Sequence, residues 1–393
     1  MNDSPLDRRF LLGGLAGVAG ISALTAMSKA GGPLNPPAGA VAPTSKPLGE
    51  IEPRVAINAT NTPSGAGSLF RITQPGSYYL TGNVNVPAGL GGVFIAVGDV
   101  TVDLNGFSII GAAGTGAGIS SNTGVTNITV RNGAVRNFAG NGIDLSATPS
   151  TRVEDMTVSG CAQFGIVTGD NALVSNCSST SNASGTVGGG GTQSSFDGIS
   201  VGVGSIVRSC AVRFAGRFGI YHNGYGLVTD CFVSDAARTP SIGIFVNERT
   251  VVRGCQVSVC TTGIRANFIS RVESCHVNNC TQFGILCDSG GVTKIIDNDV
   301  ASVGTAAGHA AIRIGTGVSG CTVEGNRLEF NFRHIEVLNA ANMIVRNTMA
   351  FTGAGGPLNI VGGNSFGPLV VVGGVGNIAG TAGSDHPQAN FAY

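Results

Sequence analysis

The stretch from Val251 to Asp288 constrains the fold more than any other part of this chain. It reads VVRGCQVSVCTTGIRANFIS and then RVESCHVNNCTQFGILCD, two lines that match column by column at a period of 20 residues. The same setting returns an Ile at 119, 143, 166, 199, 220, 244, 264, 285, 312 and 335. A second column holds Gly133, Met156, Cys177, Cys210, Cys231, Cys255, Cys275, Asn298, Cys321 and Asn347. Both columns advance by 20 to 27 residues, except for one shared step of 33. Two columns that slip together mark a structural repeat, and a period in this range belongs to solenoids.

Within each repeat, apolar and polar residues alternate over short runs separated by Gly, Asn, Ser or Asp, which is the pattern of strands. Strands one period apart stack in parallel about 4.8 Å apart, and connections between parallel neighbours are right-handed. The expected fold is therefore all-β: a single-stranded right-handed parallel β-helix of roughly eleven coils. Period-2 alternation then assigns faces. Ile of the Gly-Ile strand points inward and the next residue outward. Asn223, Asn247, Asn267 and Asp288 share a turn column, where stacked amides bond to one another. The inward column of thiols reads as unpaired core cysteines, since a free Cys packs as a small hydrophobe.

The remaining segments follow from composition. Paired Arg8-Arg9 before a Gly-interrupted apolar run, then Ser28-Lys29-Ala30, predict a cleaved twin-arginine-type signal over 1–30. The protein is then exported to the periplasm, the cell surface or the medium, with no stable membrane span in the mature chain. Residues 31–64 read as a Pro/Gly-rich linker, 65–375 as the β-helix with an N-terminal cap, and 376–393 as a C-terminal tail. Phe70–Val86 reads as a hairpin turning at Pro75-Gly76. Lys+Arg and Asp+Glu are equal at 22 each, so no net field recruits nucleic acid. The 33-residue step contains 181–195, a Gly/Ser-rich insertion expected to project as a loop.

The Gly-Ile and Val-x-x-Cys/Asn-x-Val columns, with Val100-Thr101-Val102-Asp103-Leu104-Asn105-Gly106 at the first coil, resemble the pectate-lyase-like superfamily of right-handed parallel β-helices. The resemblance covers about residues 65–375. It implies polysaccharide chemistry of several classes, and calcium as the metal of its lyases. The Asn-Thr-Asp, Gly-His-Gly and Arg-Ile-Lys motifs of its polygalacturonases are not in this sequence, nor is a dense acidic cluster.

Downstream of the insertion, outward positions become basic and aromatic. Tyr221, Phe245 and Arg265 fall in one outward column on three consecutive coils. An aromatic face beside guanidinium groups suits a sugar ring and its carboxylate. Uronate lyases need charge neutralisation and a base that removes the proton α to the carboxylate. Tyr221, Arg217 and Arg265 are the candidate catalytic residues, and Arg213, Tyr225 and Phe245 the candidate substrate contacts. The expected function is binding or processing of a polysaccharide, with β-elimination of a uronate polymer as the reaction class. The alternative is a non-catalytic surface, adhesive or matrix scaffold, in which outward residues pair for stability as Arg253–Glu273, Arg131–Glu154 and Arg313–Glu336. His222 is expected to be a satisfied interior residue, and Asn331–His334 a possible second cleft.

Overall fold

Ile220, Ile244 and Ile264 lie in register on successive parallel strands and have no exposed surface. The whole Ile file, from Ile119 to Ile335, pairs in the same way and is buried throughout. A computed structural model describes residues 53–393 apart from 113, 183–195, 235–240 and 373–380. The expected signal segment, most of the expected linker, nearly all of the 181–195 insertion and Arg238 lie outside the described residues. The described chain is a right-handed parallel β-solenoid of about 13 coils. One face is a 13-stranded sheet that starts at Ser68–Ile72 and ends at Leu358–Ile360; a 26-stranded sheet wraps the other two.

The Gly-Ile pair has a steric cause. A Cβ on Gly243 would sit 2.3 Å from Val257 Cγ1 and 2.7 Å from the carbonyl oxygen of Gly263 on the next coil. That carbonyl is fixed in the ladder, so the corner admits no side chain on these coils. At a second corner, Asn132, Asp155, Asn176, Ser209 and Asp230 all hold φ between 52° and 59°. Short polar side chains tolerate this left-handed geometry, which explains the Asn, Asp and Ser separators in the sequence.

The inward Cys file also changes character along the axis. Beyond Cys275 it becomes Asn298, Asn326, Asn347 and Asn390. Each Oδ1 accepts the backbone N–H of the preceding member at 3.0 Å. These buried amides are fully paired, as their burial requires. All ten cysteines are buried and none is bridged.

Four details differ from the sequence reading. The coils number about 13 rather than eleven, because two coils precede the first recognisable Gly-Ile pair. Phe70–Val86 is not a hairpin: Ser68–Ile72 and Gly76–Tyr79 pair in parallel with Gly91–Ile95 and Val100–Asp103, so Pro75-Gly76 is a corner of the first coil. Cys321 leaves the interior Cys column, its place being taken by Asn326; one longer coil shifts the count. Arg131 and Glu154 are in register, but Arg131 turns to the buried Asp103 at 3.2 Å and Glu154 pairs with Arg152. The last residues join the stack, with Asn390–Ala392 paired in parallel to Thr348–Ala350 and Leu369–Val371.

Candidate functional site

The strands Phe218–His222, Ile242–Val246 and Thr262–Ala266 lie side by side in the 13-stranded sheet. With Ile220, Ile244 and Ile264 turned inward, alternation turns Tyr221, Phe245 and Arg265 outward, and these three are in register. Phe218 emerges on the same side. Its ring stacks on Tyr221 with centroids 5.8 Å apart and meets Phe245 edge-on at 5.0 Å; Tyr221 and Phe245 are 5.6 Å apart. Arg217 lies over the Phe218 ring at 4.2 Å and Arg265 over Phe245 at 5.1 Å. A half-buried cluster of three rings is thus bracketed by two guanidinium groups, a cation–π arrangement at both ends.

Both arginines are anchored by carboxylates. Arg217 donates through Nε and Nη2 to the two oxygens of Asp197, each at 3.0 Å. Asp197 is fully buried. Burial pushes its carboxyl up to about 6, against the lowering effect of Arg217. Arg265 donates only Nε, to Asp288 Oδ1 at 2.8 Å. Tyr221 joins the turn amides: its hydroxyl donates to Asn223 Oδ1 at 3.1 Å and accepts from Asn247 Nδ2 at 3.0 Å.

The other proposed contacts stand apart. Arg213 lies in the 26-stranded sheet, in register with Ser234, with its guanidinium over Phe232. Tyr225 sits in the turn after the Phe218–His222 strand at φ 58° and accepts a hydrogen bond from Arg249 at 2.6 Å. A one-dimensional column does not tell which sheet an outward side chain belongs to, and Arg213 and Tyr225 share with Tyr221 only proximity in sequence. Phe218 and Asp197 were missed. Each precedes its Ile by two positions, a column whose residue type changes from coil to coil through Asn141, Phe164, Asp197, Phe218 and Ile242. His222 is interior and satisfied: Nε2 lies 2.8 Å from the Ser205 carbonyl, and Nδ1 accepts from Gly224 N–H.

The outward column continues through Leu286, Arg313, Glu336 and Asn359. Glu336 is nearly buried and meets Arg333 at 2.5 Å, Asn359 at 3.1 Å and Arg313 at 3.4 Å. His334 beside it has no exposed surface, and desolvation lowers its pKa to about 4, so it is neutral at pH 7. This end of the face is a closed ion-pair knot. No three His, Cys, Asp or Glu side chains converge among the described residues. Nor is any described helix long and apolar enough to cross a membrane.

A family profile described as right handed beta helix region matches residues 191–328. Among solved structures, the A-module of mannuronan C-5 epimerase AlgE4 from Azotobacter vinelandii superposes at TM-score 0.54 and 13% identity, over 74% of this chain and 90% of that one. The catalytic domain of a GH87 alpha-1,3-glucanase superposes at TM-score 0.51 and 13% identity, over 79% of this chain and 63% of that one. No curated protein matches the sequence. At such identities these likenesses show the fold alone.

Proposed function

We propose that this chain binds and processes a polysaccharide along the outward surface of its 13-stranded sheet, with uronate as the unit it recognises. The observation that carries this reading is the ring cluster of Phe218, Tyr221 and Phe245 between Arg217 and Arg265. Ring faces cover the C–H face of a sugar, and a guanidinium takes its carboxylate in a bidentate grip. Arg265 commits only Nε to Asp288, which leaves both Nη groups for a ligand. The fold is shared with one enzyme named for mannuronan and another named for an alpha-1,3-glucan, which makes a polymeric sugar the first ligand to test.

The reaction class is β-elimination. In this reading Tyr221 first gives its hydroxyl proton to solvent and then, as the phenolate, takes the proton α to the carboxylate while Arg217 and Arg265 neutralise that carboxylate. The C4–O bond breaks with its electron pair on the glycosidic oxygen, which solvent protonates, and a C4=C5 double bond forms. Export by the twin-arginine route belongs to the same proposal. Ten unbridged, buried thiols suit a protein that folds in a reducing cytosol before it crosses the membrane.

One observation favours a second reading, that of a non-catalytic scaffold: Asp197 and Asp288 already balance both arginines. A panel of polyuronates and neutral glucans separates the two, read by absorbance of unsaturated uronate and by reducing ends. The proposal expects unsaturated product from a polyuronate and its loss in Arg265→Ala. Absence of product on every polymer would leave binding without turnover.

A further inference from the structure

The ion-pair knot at the far end of the 13-stranded face is closed in bonds but not in charge. Arg313 and Arg333 both pair with Glu336, and with no other carboxylate among the described residues. Two guanidinium groups thus share one acid, which leaves one positive charge in excess. The ring cluster differs, because Arg217 and Arg265 each have a carboxylate of their own. The knot is also partly withdrawn from water, the Arg313 and Arg333 side chains being 26% and 18% exposed. An uncompensated charge in such a place is unfavourable until an anion meets it.

The uncommitted bonds agree with the charge. Arg313 gives Nη1 to the Gly308 carbonyl, and its Nε approaches Glu336 Oε2 only at 3.4 Å. That buried Oε2 makes no hydrogen bond. Arg333 gives Nε to the Gly355 carbonyl and Nη1 to Glu336 Oε1. On both arginines Nη2 makes no hydrogen bond among the described residues. Arg313 lies over the Phe283 ring at 4.9 Å, and His309 meets the same ring edge-on at 6.2 Å. His309 Nδ1 accepts the N–H groups of Thr305 and Ala306, so in the neutral ring the proton sits on Nε2 as a donor.

We infer that Arg313 and Arg333, beside Phe283, form a second carboxylate subsite of the same face, so that the face takes an oligouronate and not a single sugar. The inference rests on the reading of that face as a polyuronate site. Arg265, Leu286 and Arg313 follow one another in register on successive strands. The two carboxylate grips therefore lie two strand spacings apart, or about 10 Å. Tyr221 and Phe245 extend the same register by two more strands, which makes the column from Tyr221 to Arg313 about 19 Å long. One sugar ring does not reach both grips, whereas a chain of several units does. At the distal grip Phe283 takes the C–H face of a ring and His309 Nε2 a hydroxyl, while the carboxylate meets the Nη2 groups.

The test is calorimetric titration of the native chain with dimers, tetramers and hexamers of galacturonate and of mannuronate, continued in variants with the series that binds more tightly. The hexamer, which engages both grips, is expected to bind at least about tenfold more tightly than the dimer. Arg313→Ala should weaken the hexamer about tenfold. Glu336→Gln enlarges the charge excess and should tighten the hexamer, a change that misfolding does not produce. Lys294→Ala removes the same charge from an exposed position of the other sheet and should leave the affinity unchanged. Equal affinity for dimer and hexamer, a hexamer affinity indifferent to Arg313→Ala, or an equal loss in Lys294→Ala would overturn the inference. If Arg265→Ala weakens the hexamer while Arg313→Ala does not, the second subsite fails and the polyuronate reading stands; if the native chain binds no oligomer, both fail.

Discussion

Asp197 shows how a single residue ties the face to the core. It has no exposed surface, yet it holds Arg217 through two hydrogen bonds. Burial raises its carboxyl to about 6, from an ordinary value near ~3.9. A raised value means that the folded chain keeps this proton longer than the unfolded chain does. The associated stability is complete below about pH 4 and is lost as pH rises through about 6. At about 1.4 kcal/mol per unit, the loss is on the order of 1–3 kcal/mol. Urea unfolding at pH 4.5 and 7.5 should therefore show a smaller pH dependence in Asp197→Asn than in the native chain; equal dependence would mean that the carboxyl titrates normally. Arg265 and Asp288 are each about one-third exposed, so Arg265→Ala should alter stability by less than about 1 kcal/mol. Any larger effect of that variant on ligand binding then reports the site and not the fold.

At the scale of the element, the unit is one coil, and its tightest point is the glycine before Ile. Gly243→Ala would force a methyl against Val257 and the Gly263 carbonyl, an overpacking that destabilises by about 1–3 kcal/mol. At Gly82 a Cβ would meet nothing within 4 Å, so Gly82→Ala should be near neutral. Equal unfolding midpoints for the two variants would contradict this account of the repeat. The thiol file gives a second test. Burial pushes the Cys161 thiol up to about 11, and no cysteine has appreciable surface. The folded chain at pH 8 should leave its thiols unreacted with a disulfide reagent, and unfolding should release all ten; rapid labelling of the folded chain would contradict a closed interior. The coil was legible in the sequence because the Ile and Cys columns are one-letter records of burial. Corners were harder to read. The Asn326-for-Cys321 exchange and the Arg131–Asp103 pair depend on coil length and on partners 28 residues away, which a period of twenty-odd residues does not resolve.

At the scale of the whole molecule, stacking turns a chain of short strands into surfaces with long columns. Tyr221, Phe245 and Arg265 could be placed together from the sequence because they share a strand position and hence a sheet face. Arg213 and Tyr225 are nearby in sequence but belong to another sheet and to a turn. Phe218 and Asp197 completed the cluster through a column two places earlier, whose residues alternate among Asn, Phe, Asp and Ile without a visible pattern. What the stack offers a ligand is therefore a face of defined spacing, and the claim that this face holds an acidic polymer is the one that matters most. Affinity electrophoresis through gels containing a polyuronate tests it most directly, comparing the native chain with Phe245→Ala and Arg265→Ala. Retardation of the native chain, weakened about tenfold in each variant, or about 1.4 kcal/mol, is the predicted result; equal mobility of all three would contradict it.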